Sequence, residues 1–260
     1  MNEHPVPGKG GETYLPYAAR SGEESVVYFT RDLSAEGLIK IYRRIFEHLR
    51  GKIAVKLHTG EKNGPNILPR PWVEQLLKSE LSEATIVETN SYYKGDRYTT
   101  EQHRETLAVN GWIFAPVDIL DEDGAAPLPV EGGKWFKEMY VGKHLLNYDS
   151  LLVLTHFKGH PMGGYGGALK NISIGLASKN IGIGCADGRV GKAMIHTTPN
   201  QDNQWDIAKE EFMERMTESA KSVVDHFGEH IVFINVMRNM SVSCDCEGIC
   251  AEPVVTPNVG

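Results

Sequence analysis

Two hydrophobic periods alternate along the first half of this chain, and that alternation restricts its fold more than any other feature. Leu38, Ile41, Tyr42, Ile45, Phe46 and Leu49 recur at helical spacing up to Gly51, the stripe of an amphipathic helix. Strand-like and helical stretches then follow in turn: Ile53 to His58, Pro71 to Leu81, Thr85 to Thr89, Thr100 to Asn110 and Trp112 to Val117. A further strand is expected at Val26 to Thr30, ahead of the first helix. Strands that alternate with helices pair in parallel, each crossover helix lying on the sheet. Leu151-Leu152-Val153-Leu154 is apolar on successive residues, as a central strand covered on both faces requires.

A long helix near Ile207 to Phe227 carries Phe212, Met216, Ala220, Val223, Val224 and Phe227 on one face, and a strand at Ile231 to Met237 follows it. The expected class is therefore α/β, a mostly parallel sheet with crossover helices. Residues 1–24, rich in Gly, Pro and Glu, read as an N-terminal extension, and residues 25–260 as one large α/β domain. Asp118 to Val130 reads as a surface excursion and Lys134 to Tyr140 as a short outlying strand, which leaves room for a small lobe around 118–147.

Composition narrows the partners. With 27 basic and 34 acidic residues the net charge is −7, which argues against a surface built for nucleic acid. No apolar run reaches the ~18 residues of a membrane span, and Met1-Asn2-Glu3-His4-Pro5 has no basic region leading into an apolar one, so a cytoplasmic location is expected. Oligomeric state is not legible.

In an open parallel sheet, ligands sit beyond the carboxyl ends of the strands, so the residues just after each strand are the candidates for chemistry. They are Lys56 to Glu61, Glu88-Thr89-Asn90, the segment from Thr155, and Asn235 to Cys250. The richest is Thr155 to Asn171, which holds His156 and His160, Lys158 and Lys170, and five glycines. Glycines let a backbone approach a ligand closely, and a helix starting near Gly166 would carry Lys170 one turn inside it. The same glycines would also serve a plain strand-to-helix joint. Neither the Walker spacing nor a G-x-G-x-x-G in register occurs. Lys56 and His58 share one face of their strand, either reaching one ligand or simply solvated at its end.

The expected catalytic groups are His160, Lys170 and His58, with Lys56, His156, Lys158, Gly164, Gly166, Gly167 and Asn171 as ligand contacts. Histidine serves equally in proton transfer near neutral pH and as a metal ligand. His156, His160 and His196 are thus candidate metal ligands beside Cys244, Cys246 and Cys250. That Cys-x-Cys-x3-Cys run matches neither the paired C-x2-C of zinc ribbons nor the ferredoxin spacing, and its cysteines read more readily as reduced structural or incidental residues than as ligands.

In these residues the sequence resembles the domain of unknown function 362 family, whose members are often labelled iron–sulfur-centre proteins. The resemblance is carried by Tyr28-Phe29-Thr30, Ile53 to Glu61, Thr155 to Ser178 with Gly167-Ala168-Leu169-Lys170-Asn171, and Met240 to Cys246. Many members carry a ferredoxin insert with repeated C-x2-C spacing, and no such repeat lies between His196 and Ile207. More distantly, His160-x3-Gly164-Tyr165-Gly166-Gly167-x2-Lys170 is similar to a segment of nickel-pincer lactate racemases. That likeness implies a proton-transfer or nickel-binding role for His160 and a cofactor-bearing role for Lys170.

The expectations are a small anionic ligand, with a divalent metal (nickel or zinc) or an iron–sulfur cluster as the candidate cofactor, and isomerase- or racemase-like proton transfer. The alternative is a metal or iron–sulfur carrier using the cysteines.

Overall fold

The computed structural model describes residues 6–7, 13–14, 26–64, 67–179, 191–197 and 207–244. Two short strands, β1 (Val6–Pro7) and β2 (Thr13–Tyr14), pair with each other near the N-terminus. Helix α1 (Ala35–Ile45) then opens on Ser34, whose Oγ accepts the Gly37 N–H at 3.1 Å. The core follows as β3 (Ile53–Lys56), α2 (Arg70–Glu80), β4 (Thr85–Glu88), α3 (Thr100–Val109) and β5 (Val117–Ile119). Next come β6 (Ala125–Pro129), β7 (Glu138–Gly142) and the long β8 (Ser150–His156), then the two-residue strands β9 (Gly159–His160) and β10 (Gly164–Tyr165). Helices α4 (Ala168–Ser173), α5 (Lys192–His196) and α6 (Lys209–Phe227) lead to β11 (Ile231–Val236).

Five strands form one sheet in the order β11-β8-β3-β4-β5, and every pair in it is parallel. The period of two divides its side chains between two cores. Leu152 and Leu154 of β8, Val55 of β3 and Ile86 of β4 pack with Leu38 of α1 and Val73 and Leu76 of α2. Leu151 and Val153, Ala54 and Val87 pack on the other face with Ile172 of α4 and Phe212, Met216 and Val223 of α6. Helices on both faces are the reason β8 is apolar without interruption.

The fold departs from the sequence reading in four places. Val26 to Thr30 is not a strand; Val26 and Val27 are 75% and 85% exposed, and no neighbour pairs with them. The strand expected at 112–117 starts only at Val117, because Trp112 is instead buried in the preceding turn, its indole N–H donating to Thr59 O at 2.8 Å. The supposed excursion at 118–130 contains the end of β5 and all of β6. β6 pairs antiparallel with β7, and Leu128 of β6, Val130 just after it, and Met139 and Val141 of β7 enter the core with α6. On α6, Val224 is 37% exposed and leaves the buried face to Phe212, Met216, Ala220, Val223 and Phe227.

Candidate functional site

All five parallel strands end at one edge, and there the chain closes a cavity of about 100 Å³. Its walls include Lys56 and His58 after β3, Glu88 to Tyr93 and Arg97 after β4, and His156, Lys158 and His160 after β8. Gly166, Gly167, Lys170 and Asn171 enter around α4, and Lys192 and His196 from α5. Of the described residues singled out in the sequence, only Gly164 and Cys244 are not in this wall. Gly164 sits in the small β9–β10 turn with φ +65°, a left-handed conformation that glycine adopts without strain. Cys246 and Cys250 lie outside the described residues.

The floor is an ion pair. Lys56 Nζ lies 2.8 Å from Glu88 Oε2, and both side chains are almost wholly buried. Lys56 also donates to Leu57 O at 2.9 Å, while Glu88 Oε1 accepts from Thr59 N at 2.9 Å and Thr59 Oγ1 at 3.2 Å. Burial alone would raise the Glu88 carboxyl, yet Lys56 and the His58 ring hold it well below the usual carboxylate range. Gly175 is what leaves room for the lysine: a Cβ there would stand 2.9 Å from Lys56 Nζ and 2.2 Å from Asn171 O. Beside this pair, Arg97 binds Glu61, and Glu61 also takes the Tyr93 hydroxyl. Lys192 Nζ donates to Thr89 Oγ1 at 2.7 Å, to Ala177 O at 2.8 Å and to Ile174 O, and burial pulls its pKa down to about 7.

The histidines differ in which nitrogen is spoken for. A backbone N–H only donates and a carbonyl only accepts, so the partner fixes the tautomer of a neutral ring. His160 Nδ1 accepts from Gly163 N at 3.0 Å and Met162 N at 3.3 Å, which puts its proton on Nε2. His196 Nδ1 lies 2.8 Å from Lys192 O and therefore carries the proton, which leaves Nε2 as a lone pair. His156 Nε2 lies 2.5 Å from Arg238 O and is committed there. Burial lowers His160 and His196 each to about 4, so both are neutral at pH 7. His58 Nε2 is buried with no hydrogen-bond partner among the described residues, and burial lowers its pKa also.

These partners change the roles read from the sequence. His160, expected as a base, presents an N–H. His196, expected as a metal ligand with proton transfer left open, presents the basic nitrogen. Asn171, expected as a ligand contact, gives its amide to Thr155 Oγ1 at 2.9 Å and Leu154 O at 3.3 Å, and so ties α4 to β8. Among the described residues, the only three or more His, Cys, Asp or Glu whose ligating atoms lie mutually within 4.8 Å are Asp118, Glu122 and His144, away from this cavity. Cys244 Sγ instead accepts from Lys170 Nζ at 3.4 Å.

The sequence profile of a domain of unknown function, DUF362, matches residues 53–260. The chain belongs to the DUF362 family. Every strand of the parallel sheet and every residue of the cavity wall lies inside the matched span of this DUF362 chain. No curated protein matches its sequence. Among solved structures, two are distantly similar to it. The lactate racemase apoprotein from Thermoanaerobacterium thermosaccharolyticum is 13% identical with a TM-score of 0.46, over 79% of this chain and 49% of that one. A protein from Thermotoga maritima is 16% identical with a TM-score of 0.45, over 80% of this chain and 51% of that one. The DUF362 chain thus spans about half the length of either. No helix among its described residues is long and apolar enough to cross a membrane.

Glu88 was among the strand-end residues picked out in the sequence, whereas Arg97 and Lys192 were not. Lys192 had a weak signal, standing four residues before His196 on the same helix face.

Proposed function

We propose that the cavity binds a small anion and that the protein is an enzyme moving a proton on it, in the manner of an isomerase or racemase. The carrying observation is the pairing of His160 and His196 within one cavity wall whose other charged members are mostly cations. A neutral imidazole with its lone pair at Nε2 is a base, and His196 is held in that tautomer by a backbone carbonyl. The His160 N–H stabilises negative charge that develops on a substrate oxygen when the proton leaves. Lysines and the arginine hold the anion, and the burial of the site keeps both rings neutral at physiological pH.

Calorimetric titration with small carboxylates and inorganic phosphate tests the binding half. Millimolar or tighter binding that weakens at least about tenfold in Lys170→Ala supports it. Wild-type protein that binds none of them refutes it.

A metal or iron–sulfur carrier using Cys244, Cys246 and Cys250 is the second reading. It draws on Cys244, the first cysteine of the run, whose Sγ lies 3.4 Å from Nζ of Lys170 in the cavity wall. Elemental analysis of protein purified without oxygen separates the two: iron with acid-labile sulfide, lost in Cys246→Ser, favours the carrier.

A further inference from the structure

One buried cation in the cavity wall has no hydrogen left for a ligand. Lys192, 4% exposed, sends Nζ to three oxygens: Thr89 Oγ1 at 2.7 Å, Ala177 O at 2.8 Å and Ile174 O. Carbonyls only accept. Thr89 commits its own hydroxyl hydrogen to Gly175 O at 3.0 Å, so it too meets Lys192 as an acceptor. Three acceptors require three N–H donors, which makes Lys192 an ammonium whose donors all end on the protein. Burial works against that charge, and the three oxygens work for it.

What those bonds hold is α5. At five residues it is little more than one turn, too short to persist without tertiary contacts. Lys192 opens it. The side chain ties that opening to the residue after β4 and to the turn that closes α4, and the backbone N–H donates to Ser178 O at 2.9 Å. Gly191 permits this approach, with φ +45° and only 2.2 Å between an added Cβ and Ser178 O. Arg215 of α6 holds the other end through Met194 O and Thr197 O, both at 2.8 Å. The carbonyl of Lys192 itself is the group to which His196 Nδ1 donates. Tyr92 and Phe212 hold the plane of that imidazole, but ring contacts do not distinguish one nitrogen from the other. The carbonyl does.

We propose that Lys192 is a positioning residue for His196: it anchors the first turn of α5 so that its own carbonyl keeps the imidazole proton on Nδ1 and leaves Nε2 as the base. The inference rests on the reading of His196 as the base and names the group that makes it one. It also gives Lys192 a different task from Lys170, shaping the base where Lys170 holds the anion.

Nitrogen-15 NMR of protein labelled at histidine reads the tautomer directly, and the signals of His196 are those absent from His196→Gln. No ligand is needed. At neutral pH the wild type is expected to show Nδ1 protonated and Nε2 bare. Lys192→Met keeps the length of the side chain and removes all three donors; it is expected to shift the tautomer ratio toward Nε2–H by at least about fivefold, the factor that one lost hydrogen bond implies. Thr89→Val removes one acceptor and is expected to shift the ratio the same way by less. Circular dichroism and a thermal melt check the folding of both, and if Lys192→Met does not fold, Thr89→Val decides alone. An unchanged His196 tautomer in the folded variants would overturn the positioning role and leave His196 as the base. A wild-type His196 protonated at Nε2 would remove the base assignment itself, and this inference with it.

Discussion

His160 and His196 meet the same phenyl ring: His160 stacks on Phe212 with centroids 5.7 Å apart and planes 1° from parallel, and His196 meets it edge-on at 5.3 Å. One comes from the segment after β8 and the other from α5, yet α6 gives them a common wall. Tyr92 closes the other side of His196, its ring 5.7 Å away and 22° from parallel. Imidazoles fixed in this way keep the tautomers that their backbone partners assign.

Phe212 is fully buried, so Phe212→Ala should lower the unfolding free energy by about 3–5 kcal/mol. Urea denaturation measures it. A loss below about 1 kcal/mol would mean that the ring is not the packing centre between the histidines.

The Lys56–Glu88 pair should behave as a unit. Removing one partner, in Lys56→Met or Glu88→Gln, strands a buried charge or hydrogen-bonding group and should cost about 3–5 kcal/mol. The double variant Lys56→Met/Glu88→Leu should cost much less than the sum of the single changes. Additive losses in a double-mutant cycle would show that the two groups do not depend on each other.

Stability should fall between pH 6.5 and 5. Burial lowers His103 to about 3 and His160 and His196 to about 4, below the value of about 6.5 in an unfolded chain. The unfolded state therefore takes up protons first. The contribution of each ring is complete above pH 6.5 and is lost as pH drops toward its folded value, on the order of 1–2 kcal/mol per histidine by pH 5. Glu88 stays ionised across this window and does not add to the loss. Urea midpoints at pH 7.5 and 5 that coincide would contradict the buried neutral state.

Much of this was legible because strong local patterns coincide with the sheet. The unbroken apolar run Leu151 to Leu154 identifies β8, and β8 delivers His156 and His160 to the functional edge. Lys56 and His58 were visible for the same reason at the end of β3. Val26 to Thr30 misled because β-branched and aromatic residues make a strand only when they pair with a partner strand, and no described strand pairs with them. Arg97 and Lys192 were invisible because no strand announces them. Arg97 sits in a loop held by Glu61, and Lys192 begins a five-residue helix. The division of labour between His160 and His196 was beyond any sequence pattern, since it depends on the main-chain groups of Gly163 and Lys192 that face the two rings.

Proton transfer on a bound anion is measured most directly by exchange of an α-proton with deuterated solvent, followed by NMR across small 2-hydroxy acids and similar carboxylates. Wild-type protein should exchange at least one of them, His196→Gln should slow that exchange by about 100-fold or more, and His160→Gln should slow it without altering the binding of oxalate as strongly as Lys170→Ala does. Exchange undiminished in His196→Gln, or no exchange with any of these acids, would contradict the assignment of base and donor to this histidine pair.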